Sequence, residues 1–205
     1  MTSVAVLDYG SGNVHSVCQA IAATGAQAVL TADFDQALHS PALVVPGVGA
    51  FASCMAGLQA VTGDELVKQR LQLERPTLGI CVGHQVMFAH GLEHGTDTAG
   101  IGIFPGTVAA LPTRRRPHMG WNQLRGNPHS RFFREDRDFY FVHSYAALRA
   151  VDLPLDAIGL WSRHEEVPFL AAVEYQSLLT CQFHPEKSGQ AGLALISAWI
   201  GQVRG

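Results

Sequence analysis

Short apolar runs separated by amphipathic stretches dominate the first half of the chain. Val4–Leu7 is wholly apolar, as a strand buried on both faces should be. Gln27–Thr31, Ala42–Val45 and Thr77–Ile80 read as three further strands. Between them, apolar residues return at helical spacing. Val14, Val17, Cys18 and Ile21 share one face, with Asn13 as a candidate cap and Gly25 as a stop. Helical patterns follow around Phe51–Leu58 and Asp64–Leu73. Strands alternating with helices predict a parallel sheet covered on both faces. From about Gly106 the texture changes. Thr107–Leu111, Phe139–Val142, Ala157–Trp161, Leu170–Tyr175 and Leu178–Phe183 are closely spaced strands with few helices between, which predicts an antiparallel extension packed on the parallel core. Gly189–Val203 carries Leu193, Ile196 and Ile200 at helical spacing and reads as a closing helix. No linker, repeat or low-complexity stretch interrupts the pattern, so residues 1–205 read as one domain.

Composition narrows the function classes. Of 205 residues, 47% are hydrophobic and 15% charged, a globular balance able to bury a sizeable core. A net charge of −3 implies no broad basic surface for nucleic acid. No apolar run is long enough to cross a bilayer. The N-terminal residues lack a basic segment and read as a first strand rather than a signal peptide. Cysteines at 18, 54, 81 and 181 show no paired spacing, so reduced thiols in a cytoplasmic setting are expected.

The chemistry concentrates at Gly79-Ile80-Cys81-Val82-Gly83. Glycine two before and two after a nucleophile is the spacing of a nucleophile elbow, a strained strand-to-helix turn that lifts one side chain clear of the sheet. A thiol at a helix N-terminus sits near the positive end of the dipole, which favours thiolate. The helix after Cys81 is expected to stop near Gly91. A thiolate needs a base and a group to orient it. His184-Pro185-Glu186 supplies both, with residues i and i+2 of an extended segment on one side. The tetrahedral oxyanion then needs aimed N–H donors. One is the Val82 N–H, and Pro46-Gly47-Val48-Gly49-Ala50-Phe51 is placed to offer the second, at Gly49. His90-Gly91-Leu92-Glu93-His94 spells a zinc-peptidase pattern, but that chemistry needs both histidines on one helix face, and the thiol reading outranks it. Arg114-Arg115-Arg116 reads as a solvated loop, and Cys18, Cys54 and Cys181, without flanking glycines, as packing residues.

These motifs together resemble the class I, triad-type glutamine amidotransferases. The anchors are Asp8-Tyr9-Gly10-Ser11-Gly12-Asn13, Pro46–Phe51, Gly79–Gln85, Phe141-Val142-His143-Ser144-Tyr145 and Gln182-Phe183-His184-Pro185-Glu186. Two narrower runs, Pro117-His118-Met119-Gly120-Trp121-Asn122 and Lys187-Ser188-Gly189, are similar to the glutaminase subunits of imidazole glycerol phosphate synthases. The resemblance spans the chain. It implies a flavodoxin-like α/β fold, a mostly parallel central sheet flanked by helices with an antiparallel C-terminal extension. It also implies hydrolysis of glutamine to glutamate and ammonia, with ammonia passed through a (β/α)₈-barrel synthase partner in a heterodimer. That partner would make imidazole glycerol phosphate and an aminoimidazole carboxamide ribotide.

By the same matching, Cys81, His184 and Glu186 are catalytic, and Gly49 and Val82 hold the oxyanion. Gln85, Glu93, Ser144 and Tyr145 bind glutamine, and Trp121, Asn122 and Lys187 face the partner. No cofactor or metal is implied, nor any nucleic acid or membrane. The chain departs from the family's usual Leu and Met at Val82 and His84. A histidine at the latter position is common in sibling glutaminases. Two other readings are a glutaminase serving anthranilate or pyridoxal phosphate synthesis and a catalytically silent regulatory subunit. The split arrangement fits the residues, because the chain has neither a Walker-type loop nor a concentrated Arg/Lys set for a sugar phosphate.

Overall fold

A computed structural model describes residues 2–148 and 152–204. The first half runs β1 (Ser3–Leu7), α1 (Val14–Ala23), β2 (Gln27–Thr31), α2 (Phe34–His39), β3 (Ala42–Val45), α3 (Phe51–Ala60), α4 (Gly63–Gln72), β4 (Thr77–Ile80) and the single-turn α5 (Val82–Gln85). The second half runs β5 (Phe88–Glu93), β6 (Thr96–Ala99), β7 (Phe104–Ala110), β8 (His118–Leu124), β9 (Arg137–His143), β10 (Tyr145–Ala147), β11 (Ile158–His164), β12 (Val167–Tyr175) and β13 (Leu178–Cys181). A 3₁₀ turn (Pro185–Lys187) and α6 (Gly189–Gly201) close it.

The central sheet has the order β11-β12-β13-β4-β3-β1-β2. β2, β1, β3, β4 and β13 are parallel, whereas β12 and β11 run antiparallel at one edge. β13 therefore belongs to the parallel core on one side and to the antiparallel extension on the other. The chain steps from β1 outward to β2 and then back across the sheet to β3 and β4. Right-handed crossovers put helices of opposite steps on opposite faces. Consistent with this, α1 packs with α6, while α2 and α3 pack with α4. The direction of winding reverses between β1 and β3, and the crevice at the C-terminal strand ends there is where such sheets bind ligands. A second sheet, β10-β7-β5-β6, and a ribbon, β8-β9, stand over that crevice.

Three local expectations need correction. Asn13 occupies the N-cap position of α1 but makes no side-chain cap bond, whereas Asp33 caps α2 by accepting from the Gln36 N–H at 2.7 Å. The helix after Cys81 does not reach Gly91. It ends after one turn, and Gly91 lies in strand β5. Its lack of a side chain serves close packing, since a Cβ there would run into the Phe51 ring. His184 and Glu186 do not lie on one extended strand either, because Pro185 starts a 3₁₀ turn.

Two packing devices tie the elements together, one of them beside the crevice. Phe133, Phe139, Phe141, Phe169 and Phe183 are buried in one aromatic cluster, with Phe139 stacked on Phe183 at 4.0 Å and Phe141 edge-on to Phe169 at 5.5 Å. Each such ring contributes roughly 1.5–3 kcal/mol by burial. The cluster fixes β9 against Phe183, the residue before His184. On the other side of the molecule, buried Arg70 donates to the carbonyls of Ala37, Leu38, Ser40 and Pro76 and to the Thr77 hydroxyl, tying the end of α2 to the start of β4.

Candidate active site

Cys81 leaves β4 at φ 55, ψ −110, a left-handed backbone that a residue with a Cβ rarely adopts. Its glycine neighbours make this turn possible. A Cβ on Gly79 would lie 2.6 Å from the Gly83 carbonyl oxygen, and one on Gly83 would collide with the carbonyl oxygen of Val45. The elbow is anchored by the Cys81 N–H, which donates to the Cys181 carbonyl at 2.8 Å.

The imidazole of His184 is held from behind. Its Nδ1 lies 2.8 Å from Glu186 Oε1, and both side chains are almost fully buried. Its main-chain N–H donates to the Tyr140 carbonyl at 2.9 Å. Nε2 makes no hydrogen bond of normal geometry, and the Cys81 sulfur acts on it through space. Burial alone would lower the proton affinity of His184, but Cys81 and Glu186 together raise it to about 10. The His184 imidazole is therefore held as imidazolium, between the Cys81 sulfur and the Glu186 carboxylate.

A cavity of about 220 Å³ opens onto Cys81. That is below the roughly 300–1,000 Å³ of drug-sized sites and on the scale of one amino acid. It gathers most of the residues read from the sequence: Gly49, Cys81, Val82, Gln85, Glu93, Ser144, Tyr145, His184 and Lys187 all line it, with Glu186 behind His184. Gln85 donates through Nε2 to the Tyr145 carbonyl at 2.8 Å. Glu93 accepts from the Phe51 N–H at 2.9 Å, at the start of α3. Trp121 and Asn122 do not line this cavity. Trp121 stands on β8 with Met119, both well exposed, while Asn122 turns inward to the Arg163 carbonyl at 2.6 Å. A hollow of about 370 Å³ beside Asn122, Arg125 and Arg163 contains Ser162, whose hydroxyl donates to the Gln123 carbonyl at 2.7 Å.

The oxyanion donors are not assembled in this structure. The Val82 N–H donates to the Gly47 carbonyl at 3.3 Å, so one expected donor is occupied. Gly49 takes φ +89, a conformation that suits glycine. Val48, between the two glycines, is held by Ser11: its N–H donates to Ser11 Oγ at 3.3 Å and its carbonyl accepts from Ser11 Oγ at 2.9 Å. Cys54 donates to the same carbonyl at 3.3 Å, and Tyr9 donates to the Pro46 carbonyl. Sequence reasoning assigned Cys54 to packing and gave Tyr9 and Ser11 no individual role.

The histidines sort by hydrogen bonding. His143 Nδ1 lies 3.0 Å from the Tyr145 carbonyl, which only accepts, so Nδ1 carries the proton. Its Nε2 then accepts from His118 Nδ1 at 3.0 Å, and His118 Nε2 accepts from Asn122 at 3.2 Å. Burial lowers His143 to about 3 and His118 to about 4, with neighbouring histidines adding to both shifts, so both rings are neutral. His84 is wholly buried, lowered by that burial to about 3, and lies 2.8 Å from the Thr180 hydroxyl through Nδ1. The zinc-peptidase spacing fails on geometry, because His90 points out to Asp97 at 3.0 Å while Glu93 points in to Phe51. Arg114-Arg115-Arg116 is a pinned loop, with the Arg114 and Arg115 N–H groups on the Glu165 carboxylate at 3.0 and 3.1 Å.

The profile of the family described as glutamine amidotransferase class-I matches residues 5–199. The chain belongs to the class-I glutamine amidotransferase family.

Within that family it is 50% identical, over 98% of each chain, to imidazole glycerol phosphate synthase subunit HisH of Mycolicibacterium paratuberculosis. It is also 50% identical, over 97% of each chain, to the subunit of the same name in Mycobacterium tuberculosis. Among solved structures, a glutamine amidotransferase crystal structure superposes with TM-score 0.73 at 18% identity, covering 95% of this chain and 98% of that one. PurLQS from Thermotoga maritima does so with TM-score 0.70 at 16% identity, covering 98% of each chain. These two structural likenesses establish the fold. This amidotransferase has no helix, among the described residues, long and apolar enough to cross a membrane.

Proposed function

We propose that the chain is the glutaminase half of a split synthase in histidine biosynthesis. It hydrolyses glutamine through a Cys81 thioester and passes the ammonia to a (β/α)₈-barrel partner. There the ammonia enters the reaction that yields imidazole glycerol phosphate and an aminoimidazole carboxamide ribotide. The observation that carries the catalytic part is a strained Cys81 beside a buried His184–Glu186 pair, in an amino-acid-sized cavity. The names of the HisH relatives support the pathway. In this reading residues 1–205 act as one amidotransferase domain in the cytoplasm.

The steps follow from the residues. Gln85, Glu93, Ser144 and Tyr145 hold the α-carboxylate and α-amino end of glutamine, leaving its side-chain amide at Cys81. The thiolate attacks the amide carbon, and the C–N bond breaks as imidazolium His184 gives its proton to the departing ammonia. Neutral His184 then takes a proton from water, whose hydroxide cleaves the thioester and returns the thiol. Acid–base help of this kind is worth about 10²–10⁴-fold. Oxyanion support requires the Gly47–Val48 peptide to turn over, freeing the Val82 N–H. A partner seated over exposed Met119 and Trp121 and over Lys187 would favour the turned strand.

The test adds glutamine to the subunit, with and without a barrel synthase and its nucleotide, and follows glutamate release and ring formation. Glutamate release should rise steeply with both present, and Cys81→Ala should abolish it. Rapid turnover without the partner would reject the switched strand. Turnover by Cys81→Ala would reject the thioester.

A further inference from the structure

Gln182 lies on the segment between β13 and His184, wholly buried, with its main-chain N–H on the Ala171 carbonyl at 2.8 Å. Its side chain is not filler. The network fixes which end of each amide points where. The Tyr145 carbonyl accepts only, so the Gln85 group beside it is NH₂. That same NH₂ lies 2.9 Å from one end of the Gln182 amide, which must therefore be the carbonyl oxygen. The Gln182 NH₂ is left facing Cys81, 3.9 Å from Sγ.

We infer that Gln182 is a further residue of the glutaminase reaction, a neutral donor that holds the Cys81 sulfur in its charged form and ties it to the glutamine-binding Gln85. This rests on the glutaminase reading above.

The chemistry favours an amide at this place. A donor aimed at a thiolate stabilises the charged form. Catalytic hydrogen bonds are often long before substrate binds and tighten as charge develops, which suits a 3.9 Å approach. A carboxylate here would set like charge beside the sulfur and Glu186. A lysine would be a second buried cation beside imidazolium His184. The amide also works at both ends. Its oxygen fixes Gln85 on the substrate side while its nitrogen faces the nucleophile, so one buried side chain spans both halves of the site. Gln182 opens the run that ends at Glu186, but the run gives it no role of its own, because its partners lie far off in sequence: Gln85 is 97 residues away and Cys81 101.

The test uses the full chain, iodoacetamide as a small neutral thiolate probe, and mass spectrometry to locate the label on Cys81. Gln182→Glu keeps the shape but replaces the donor with a charge. Gln182→Met removes both hydrogen bonds without adding charge. In Gln182→Glu the pH of half-maximal labelling should rise by about one unit, so labelling at pH 7 slows about tenfold. Gln182→Met should slow it about threefold, and KM for glutamine should rise in both variants because Gln85 loses its anchor. A purely structural role would lower the melting temperature and leave the labelling profile and KM alone, and that outcome overturns the inference. If Gln182→Glu does not fold, Gln182→Met decides on the same readouts. The wild type separates the two levels. If glutamine fails to protect Cys81 from label, the glutaminase reading itself falls. If it protects, and both variants label like wild type with unchanged KM, only the role of Gln182 falls.

Discussion

Cys81 and the residues around it show how few side chains decide the site. Its φ of 55 is a strained backbone of the kind that costs about 1–3 kcal/mol and persists where function needs it. In the proposed mechanism Glu186 acts through His184, which it touches at Nδ1, so Glu186→Gln should keep the fold and lower kcat about 10²–10⁴-fold, read as glutamate release in the partnered enzyme. Gly83→Ala should fail differently. Its Cβ would meet the Val45 carbonyl, a backbone atom that cannot swing aside, so the expected loss is soluble protein, or roughly 3 kcal/mol or more in denaturant melts. Cys81, His184 and Glu186 are marked locally in the sequence by glycine spacing and a His-Pro-Glu run, whereas Gln85 enters only through the family resemblance. The roles of Gln182 and Ser11 are not legible there, because what defines each is a partner 37 or more residues away.

Among the elements, Ala42–Val45 and Thr77–Ile80, buried throughout, have in the structure the bounds that their apolar runs predict. Gln27–Thr31 also keeps its predicted bounds, although as an edge strand it is only partly covered. The stretch after the elbow misled because Val86, Met87 and Phe88 are all buried, and a buried run does not distinguish helix from strand. β8 escaped for another reason: its burial alternates, but with apolar Met119 and Trp121 on the exposed side and polar His118 and Asn122 turned inward. The segment from Pro46 to Gly49 is the element whose state matters most. Ser11 holds Val48 through two bonds, and losing a bond worth about 1 kcal/mol shifts a two-state balance roughly fivefold. Ser11→Ala should therefore raise glutamate release by the isolated subunit about fivefold. An unchanged basal rate would mean that Ser11 is not what retains the strand.

At the scale of the whole molecule, buried imidazoles set the response to pH. His84, His118 and His143 are neutral in the fold, with affinities lowered to about 3, about 4 and about 3. An unfolded imidazole titrates near about 6.5. The stability these three hold is complete above that pH and is lost as pH falls from about 6.5 toward 3–4. His184 has the opposite sign. Raised to about 10, its contribution is complete below about 6.5 and is lost as pH climbs toward 10. The melting temperature set by these four groups should peak near pH 6.5, and His118→Gln should flatten the acid limb. A profile level from pH 4.5 to 9 would contradict these assignments.

The molecule also carries its own optical gauge. Trp199 is sealed in the core, Trp161 is half-covered on the edge strand, and Trp121 stands well out in solvent on the ribbon above the crevice. Iodide should quench the red part of the emission first, from Trp121, and spare the blue part from Trp199. When a partner settles on the ribbon, that quenchable fraction should shrink while the blue emission holds still, so a simple titration reads docking apart from turnover.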